Sequence, residues 1–397
     1  MNLWLVWLIG FLVGITLLGF YYGRKIKTAD DYVMANFSLG FFPVCGSLIA
    51  TFMGAAAVIG AAGKGYTIGI SYGFATAPVF IFSALLALVL GGTIRKLKLY
   101  TIPNLFVRRF GKASGLIPSL VISLLYMTPT FGMQIVGMGS ILTSIVDISL
   151  NNAMLIGFAV CVSFTLMGGL PSVAWTDAIQ SVLIVGGVFV VAVAGITHVG
   201  GMGNIIANVD PLFFNPVGIG AKEFINYAIV FGPFYLVWQT SWQRLAACRT
   251  VGLAKSSMTA GCVIMFIISF AAIFIGIAAK LALPEGTLPD SVYTQFLTIL
   301  FHPAIGGLFM VSLFAAVLTG ATSFLLSGAT NVAKDIYQGW ISPNAPDKQV
   351  LKVARISVAF MALLGLFVAL SIKDIISIYM YALSLSAVTM VFPVMAA

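Results

Sequence analysis

The sequence predicts an all-α polytopic membrane protein. Its core is a five-plus-five inverted repeat, preceded by one extra N-terminal helix. Three observations carry this. The 397 residues are 60% hydrophobic and only 8% charged, whereas a soluble domain carries about a quarter charged residues. Apolar stretches of about 20 residues, long enough to cross a bilayer, recur along the whole chain. The basic residues gather in alternate loops, as the positive-inside rule requires of a multi-pass protein.

Eleven spans are read, at 2–22, 38–62, 69–93, 116–146, 152–170, 174–198, 222–243, 256–282, 303–333, 353–372 and 374–395. The first lacks the basic leader and small-residue cleavage site of a signal peptide, so it counts as a span. Loops 1/2 (Arg24, Lys25, Lys27), 3/4 (Arg95, Lys96, Lys98, Arg108, Arg109, Lys112), 7/8 (Arg244, Arg249, Lys255) and 9/10 (Lys334, Lys348, Lys352, Arg355) hold most of the basic residues. Lys64, Lys222, Lys280 and Lys373 fall on the opposite side. The basic loops are therefore expected in the cytoplasm of a cell-membrane protein whose N-terminus is outside. The net charge of +9 is thereby explained without a nucleic-acid partner. Cys45, Cys161, Cys248, Cys262, His198 and His302 show no metal or redox spacing. The last span runs into Ala397 without a basic cluster or tail, the pattern expected of a chain that continues into further helices.

Spans 2–6 and 7–11 form two sets of five entering from opposite sides. That gives an N-terminal segment 1–37, a first repeat 38–198, a loop 199–221 and a second repeat 222–397. Inverted-repeat transporters bind at interrupted helices near the midplane. Interruption is expected in span 2, "CGSLIATFMGAAAVIGAAGKG", and in span 7, where Pro233 and Gln239 weaken a regular helix. In any one place Gly and Ala equally serve close helix packing.

Chemistry concentrates in two spans. Span 9 contains "AAVLTGATSFLLSG", with hydroxyls at Thr319, Thr322, Ser323 and Ser327. The first three share a face at i, i+3 and i+4. Back-bonding to their own helix also accounts for each hydroxyl. Asp177, in "GGLPSVAWTDAIQ", is an ionisable group within a span and so a functional candidate. It also reads as a helix N-cap, alone or through Thr176, with Gln180 completing a capping box. Both Asp177 and the hydroxyls fall in the inner half of the membrane. Together they form a hard-oxygen set suited to Na⁺.

"GGLPSVAWTDAIQ", "AAVLTGATSFLLSGATNVAKDIY", "QRLAACR" and "SLIATFMGAAAVIGAAGKGYTIG" resemble the sodium/solute symporter family along the whole chain. The resemblance implies a leucine-transporter-like core behind an extra helix. It also implies a sodium site between spans 2 and 9, formed by carbonyls of Ala50, Met53 and Ala316 with hydroxyls at Thr319 and position 320. Gly320 stands where the family has Ser or Thr, so a water or carbonyl would have to replace that oxygen, and Gly320→Ser would tighten the site. A second sodium site is implied at Asp177, Thr319, Thr322 and Ser323. For the solute, the positions implied are Phe52, Gly54, Ala57 and Tyr72, with Gln134, Trp238, Gln239 and Trp242 as orienting groups. This set is aromatic and apolar, which disfavours a hexose. Phe52 replaces the aspartate of proline-type members. Lys64 reads as an exposed loop lysine or as an attractor for a carboxylate.

The expectation is a sodium-coupled symporter working by alternating access, importing a small organic acid or another compact, partly apolar metabolite. Its partners are Na⁺, the solute and the lipid bilayer, with no other cofactor. No nucleophile–base pair or phosphate loop suggests an enzyme. The rival is a symporter-like sensor domain of a signalling protein.

Overall fold

The computed structural model describes residues 2–24 and 26–396; Lys25 of the first basic loop and Ala397 lie outside the described residues, as do the side chains of Met167 and Gly168. No strand occurs among the described residues, apart from one isolated bridge. The helices are α1 (Leu3–Gly23), the bent pair α2 (Phe41–Phe52 with Ala56–Ile68), α3 (Ser71–Leu97), α4 (Lys112–Ile145), α5 (Leu150–Leu166) and α6 (Gly169–His198). Next come α7 (Ala221–Phe234 with Gln239–Ala247) and α8 (Val251–Ala279), α9 (Pro303–Ile341), α10 (Asp347–Ser371) and α11 (Ile375–Ala396). Each corresponds to one of the eleven apolar stretches. Eight pass a test of length and apolarity by themselves, and α2 passes if its halves count as one span.

Local chemistry sets the ends. The Asn2 side chain accepts from Trp4 and Leu5 N–H and so caps α1. Ser149 caps α5, Thr250 caps α8, and His302 followed by Pro303 opens α9. Between α5 and α6 the chain breaks at Gly169, whose φ of 55° and ψ of −174° suit a residue without Cβ. Pro171 follows, and its missing N–H is tolerated because it sits at a helix start.

Apolar side chains such as Ile9, Val13 and Leu17 on α1 and Val388 and Phe392 on α11 point outward, as a lipid-facing surface requires. The polar side chains Ser47, Thr51, Gln134, Asp177, Gln239, Gln243, Arg244, Thr319 and Ser323 are buried. They line the inner faces of α2, α4, α6, α7 and α9, and that inward polarity positions the site.

Candidate functional site

Two helices are interrupted at the centre of the bundle. α2 bends by 58° between its halves, with Met53 at ψ 38° ending the first half. α7 passes through a short tight turn at Tyr235–Val237 into extended Trp238, then resumes. Pro233, in the last turn of its first half, lacks the N–H a helix would use. The Trp242 indole stitches this break by donating to the Leu236 carbonyl at 2.8 Å.

Between the breaks lies a cavity that leaves about 50 Å³ of free space. That is well below the roughly 300 Å³ or more of a typical ligand pocket. Phe52, Gly54, Ala57, Tyr72, Gln134 and Trp238 all line it. Gln239 and Trp242, expected beside them, do not. Gln239 accepts from the Ile102 N–H at 2.8 Å, which fixes the α3–α4 connection, and Trp242 is consumed by the stitch just described. Lys64 also stays outside the cavity, where its charge acts on Asp290. The sequence reading missed Thr51, Phe80, Phe231, Tyr235, Phe324 and Tyr379 in the lining. Tyr235 and Tyr379 share a hydrogen bond at 2.6 Å between their hydroxyls. Among the described residues, no charged side chain lines this cavity.

One side of the cavity meets α9. The Thr319 hydroxyl lies 2.8 Å from the Ala50 carbonyl of α2 and 2.9 Å from the Ala316 carbonyl of its own helix. Three oxygens therefore converge at the α2 break, which frees carbonyls that a continuous helix would use. This neutral, oxygen-rich corner suits a hard cation such as Na⁺. Met53, one turn beyond Ala50, is fully buried there. Gly320 offers no side-chain oxygen, and its place is not vacant. A Cβ built on it would come within 2.8 Å of the Gln134 amide nitrogen. A serine at 320 would have to displace the Gln134 amide, the far end of a flexible side chain, so the gain expected of Gly320→Ser depends on that amide yielding.

The second set is arranged differently from expectation. Asp177 accepts from the Ser47 hydroxyl at 2.6 Å and from Ser323 at 3.3 Å. Within the same cluster sits the guanidinium of Arg244, fully buried, with Nη2 3.6 Å from the carboxylate. Arg244 donates to Ser47 at 2.7 Å, to Thr51 at 3.1 Å and to Ser323 at 2.6 Å. Arg244 is thus not a loop residue, as its place after span 7 suggested, but the inward-facing counter-charge of Asp177. The Thr319 hydroxyl is engaged at the α2 break, and Thr322 donates to the Thr319 carbonyl at 3.1 Å. The working stripe on α9 is therefore Thr319, Ser323 and Ser327. Ser327 continues it one turn on, donating to Gln243 at 2.8 Å.

The N-cap reading of Asp177 is excluded by the same geometry. The helix begins near Gly169, about two turns earlier. Thr176 donates back to the Ser172 carbonyl at 2.9 Å, as an interior residue does.

Interrupted helices around a cavity at the centre of the bundle, with a neutral oxygen corner beside it, define a secondary transporter of the leucine-transporter-like class. The family model "Sodium:solute symporter family" matches residues 32–396, and the chain belongs to that family. It is 25% identical over 379 residues to the osmoregulated proline transporter of Bacillus subtilis, covering 91% of this chain and 76% of that protein. It is 26% identical over 385 residues to the sodium/glucose cotransporter of Vibrio parahaemolyticus, covering 86% and 69%. Among solved structures, a Na⁺-coupled sialic acid symporter in a substrate-bound, outward-open state superposes with a TM-score of 0.81 at 22% identity, covering 94% and 82%. The protein is a multi-pass membrane protein that couples Na⁺ to symport of a small solute. Its relatives are transporters, which disfavours the sensor reading.

Proposed function

We propose that the coupling ion binds where α2 and α9 meet, held by the carbonyls of Ala50, Met53 and Ala316 and the hydroxyl of Thr319. The observation that carries this is the convergence of the Ala50 and Ala316 carbonyls on the Thr319 hydroxyl, at 2.8 and 2.9 Å. A bound Na⁺ would replace the hydroxyl's hydrogen bonds with ion–oxygen contacts and hold α2 against α9. Both helices also border the cavity, so ion binding would shape the solute site. The repeats 38–198 and 222–397 would then rock about it, with the basic loops in the cytoplasm and the N-terminus outside the cell membrane. No covalent chemistry, nucleic acid or cofactor beyond the coupling ion is required.

The solute is compact and partly apolar. Phe52 stands 5.4 Å from Phe80, 5.6 Å from Tyr235 and 6.2 Å from Trp238, centroid to centroid. Such a wall suits an apolar body and gives a polyol too few partners. A second ion at Asp177, Thr319, Thr322 and Ser323 is harder to accommodate. The Asp177 charge already faces Arg244, so an ion there requires the guanidinium to withdraw.

Uptake of a panel of labelled compact metabolites into proteoliposomes, with and without an inward sodium gradient, tests the reading. Gradient-driven uptake with a Hill coefficient near one is expected. Uptake indifferent to sodium in both wild type and Thr319→Val would overturn it.

A further inference from the structure

Gln134 on α4 is completely buried and borders the cavity. Its amide lies in a slot between the two bound helices. A Cβ on Gly54 would fall 2.6 Å from its Nε2, and one on Gly320 2.8 Å away. The two glycines together make the room that the amide occupies. Its orientation is fixed chemically. The Ala55 N–H, released by the α2 break, donates to Gln134 Oε1 at 2.8 Å, and only an oxygen can answer that donor. The NH₂ end must then face away from Ala55, and Nε2 has no partner. A buried donor left unmet costs about 1–3 kcal/mol, which a bound acceptor would relieve.

Resting on the proposed solute site, we propose that Gln134 sets solute specificity by donating from Nε2 to a carboxylate head, so that the transported solute is a small monocarboxylate with an apolar body. No charged side chain among the described residues lines the cavity, so the coupling ion would bring in a positive charge that a carboxylate offsets and a neutral carbonyl does not. The carboxylate charge is balanced by the coupling ion at the adjacent Ala50–Thr319 corner. The Gln134 amide borders that corner through Gly320, next in sequence to Thr319. The aromatic wall of Phe52, Phe80, Tyr235 and Trp238 takes the body. Ion and head group thus attract each other across the slot, and each binds better in the presence of the other.

The test is calorimetric titration of the full chain in nanodiscs with butyrate and benzoate, and with butanol and benzyl alcohol. Each is run in sodium chloride and in choline chloride. Wild type is expected to bind an acid about tenfold or more tightly than its alcohol, and only with sodium, since bonds to charged groups are the stronger ones. In Gln134→Ala that preference should fall to near unity while sodium still raises the melting temperature. Gly320→Ala, which pushes the amide out of its slot, should do the same without touching Gln134. Equal binding of acids and alcohols by wild type, or an acid preference surviving in both variants, overturns the carboxylate assignment and leaves the compact-solute reading intact. Binding of neither series by wild type overturns both.

Discussion

The two polar corners of α9 lie one helical turn apart and differ in one respect. At Thr319 the oxygens are neutral, and no cationic side chain among the described residues joins the cluster. At Ser323 the carboxylate of Asp177 already faces the guanidinium of Arg244, 3.6 Å away. Hydroxyls of the same type, on the same face, therefore serve opposite ends. One corner is where we propose a mobile cation binds, and the other carries a tethered one. The lesson is that hydroxyl spacing marks a polar stripe but not its use. The charges brought in by other helices decide that.

The largest expected effect comes from breaking the tethered pair. Arg244→Leu leaves a buried carboxylate unanswered and should cost about 3–5 kcal/mol of stability. Asp177→Asn should cost a comparable amount by stranding the guanidinium. The double variant Arg244→Leu/Asp177→Asn should recover most of the loss. Denaturation of the detergent-solubilised proteins measures this cycle. Single variants as stable as wild type would show that the pair is not what holds the corner together.

Next in size is Thr319→Val, which keeps the shape but removes one oxygen from the neutral corner. The sodium concentration for half-maximal uptake should rise about tenfold or more, given that a bond to a charged partner contributes about 1.5–3 kcal/mol. An unchanged sodium requirement would erase the distinction between the corners.

A second carboxylate supplies a control. Asp290 sits in the α8–α9 connection, where burial pushes its pKa up from 3.8 to about 6 and the nearby Asp374 adds to the rise; the Ile375 N–H and the Lys64 charge only partly oppose it. The folded state then holds this proton more tightly than the unfolded chain does. Stability from this group is present below pH 4 and is lost as pH rises through 6. Asp290→Asn should therefore gain on the order of 1 kcal/mol at pH 7.5 and nothing at pH 4. Melting temperatures at the two values test it, and an equal shift at both would contradict the assignment.

The smallest effect belongs to Thr322→Ala. Among the described residues its hydroxyl bonds only its own helix, so stability should stay within about 0.5 kcal/mol and the sodium requirement should not move. A several-fold rise would place Thr322 in an ion site after all.

How much was legible follows from these residues. Apolar length exposed every span, because the bilayer dictates it. The pairing of Ala50 with Thr319, and of Asp177 with Ser323, could be anticipated from depth and motif. The depth of Arg244 could not. It follows an apolar stretch with further basic residues beyond it, which is how a loop residue looks along a chain. Only the break in α7 turns it inward. Asp177 looked like a cap because "GGLP" precedes it. Yet Gly169 ends the earlier helix so abruptly that the next one starts well before the aspartate. Gln239 and Trp242 were read as solute ligands because polar and aromatic groups near a break suggest one. A backbone N–H of the α3–α4 connection claims Gln239, and a carbonyl at the break itself claims Trp242. The gap at Gly320 was visible as a missing oxygen, but its filler comes from α4, almost two hundred residues earlier in the chain.

One small contact governs how these parts can move. The Leu39 N–H donates to the Ala247 carbonyl at 3.0 Å, and the Arg249 N–H donates to the Leu39 carbonyl at 2.8 Å. This isolated bridge ties the start of α2 to the end of α7, so the two interrupted helices are yoked at one end. A yoke of main-chain bonds does not depend on which side chains are present. A displacement of the first half of α2 would therefore carry the second half of α7 with it, as two arms of one lever. Sequence change can retune what the lever grips, but it cannot easily uncouple its two arms.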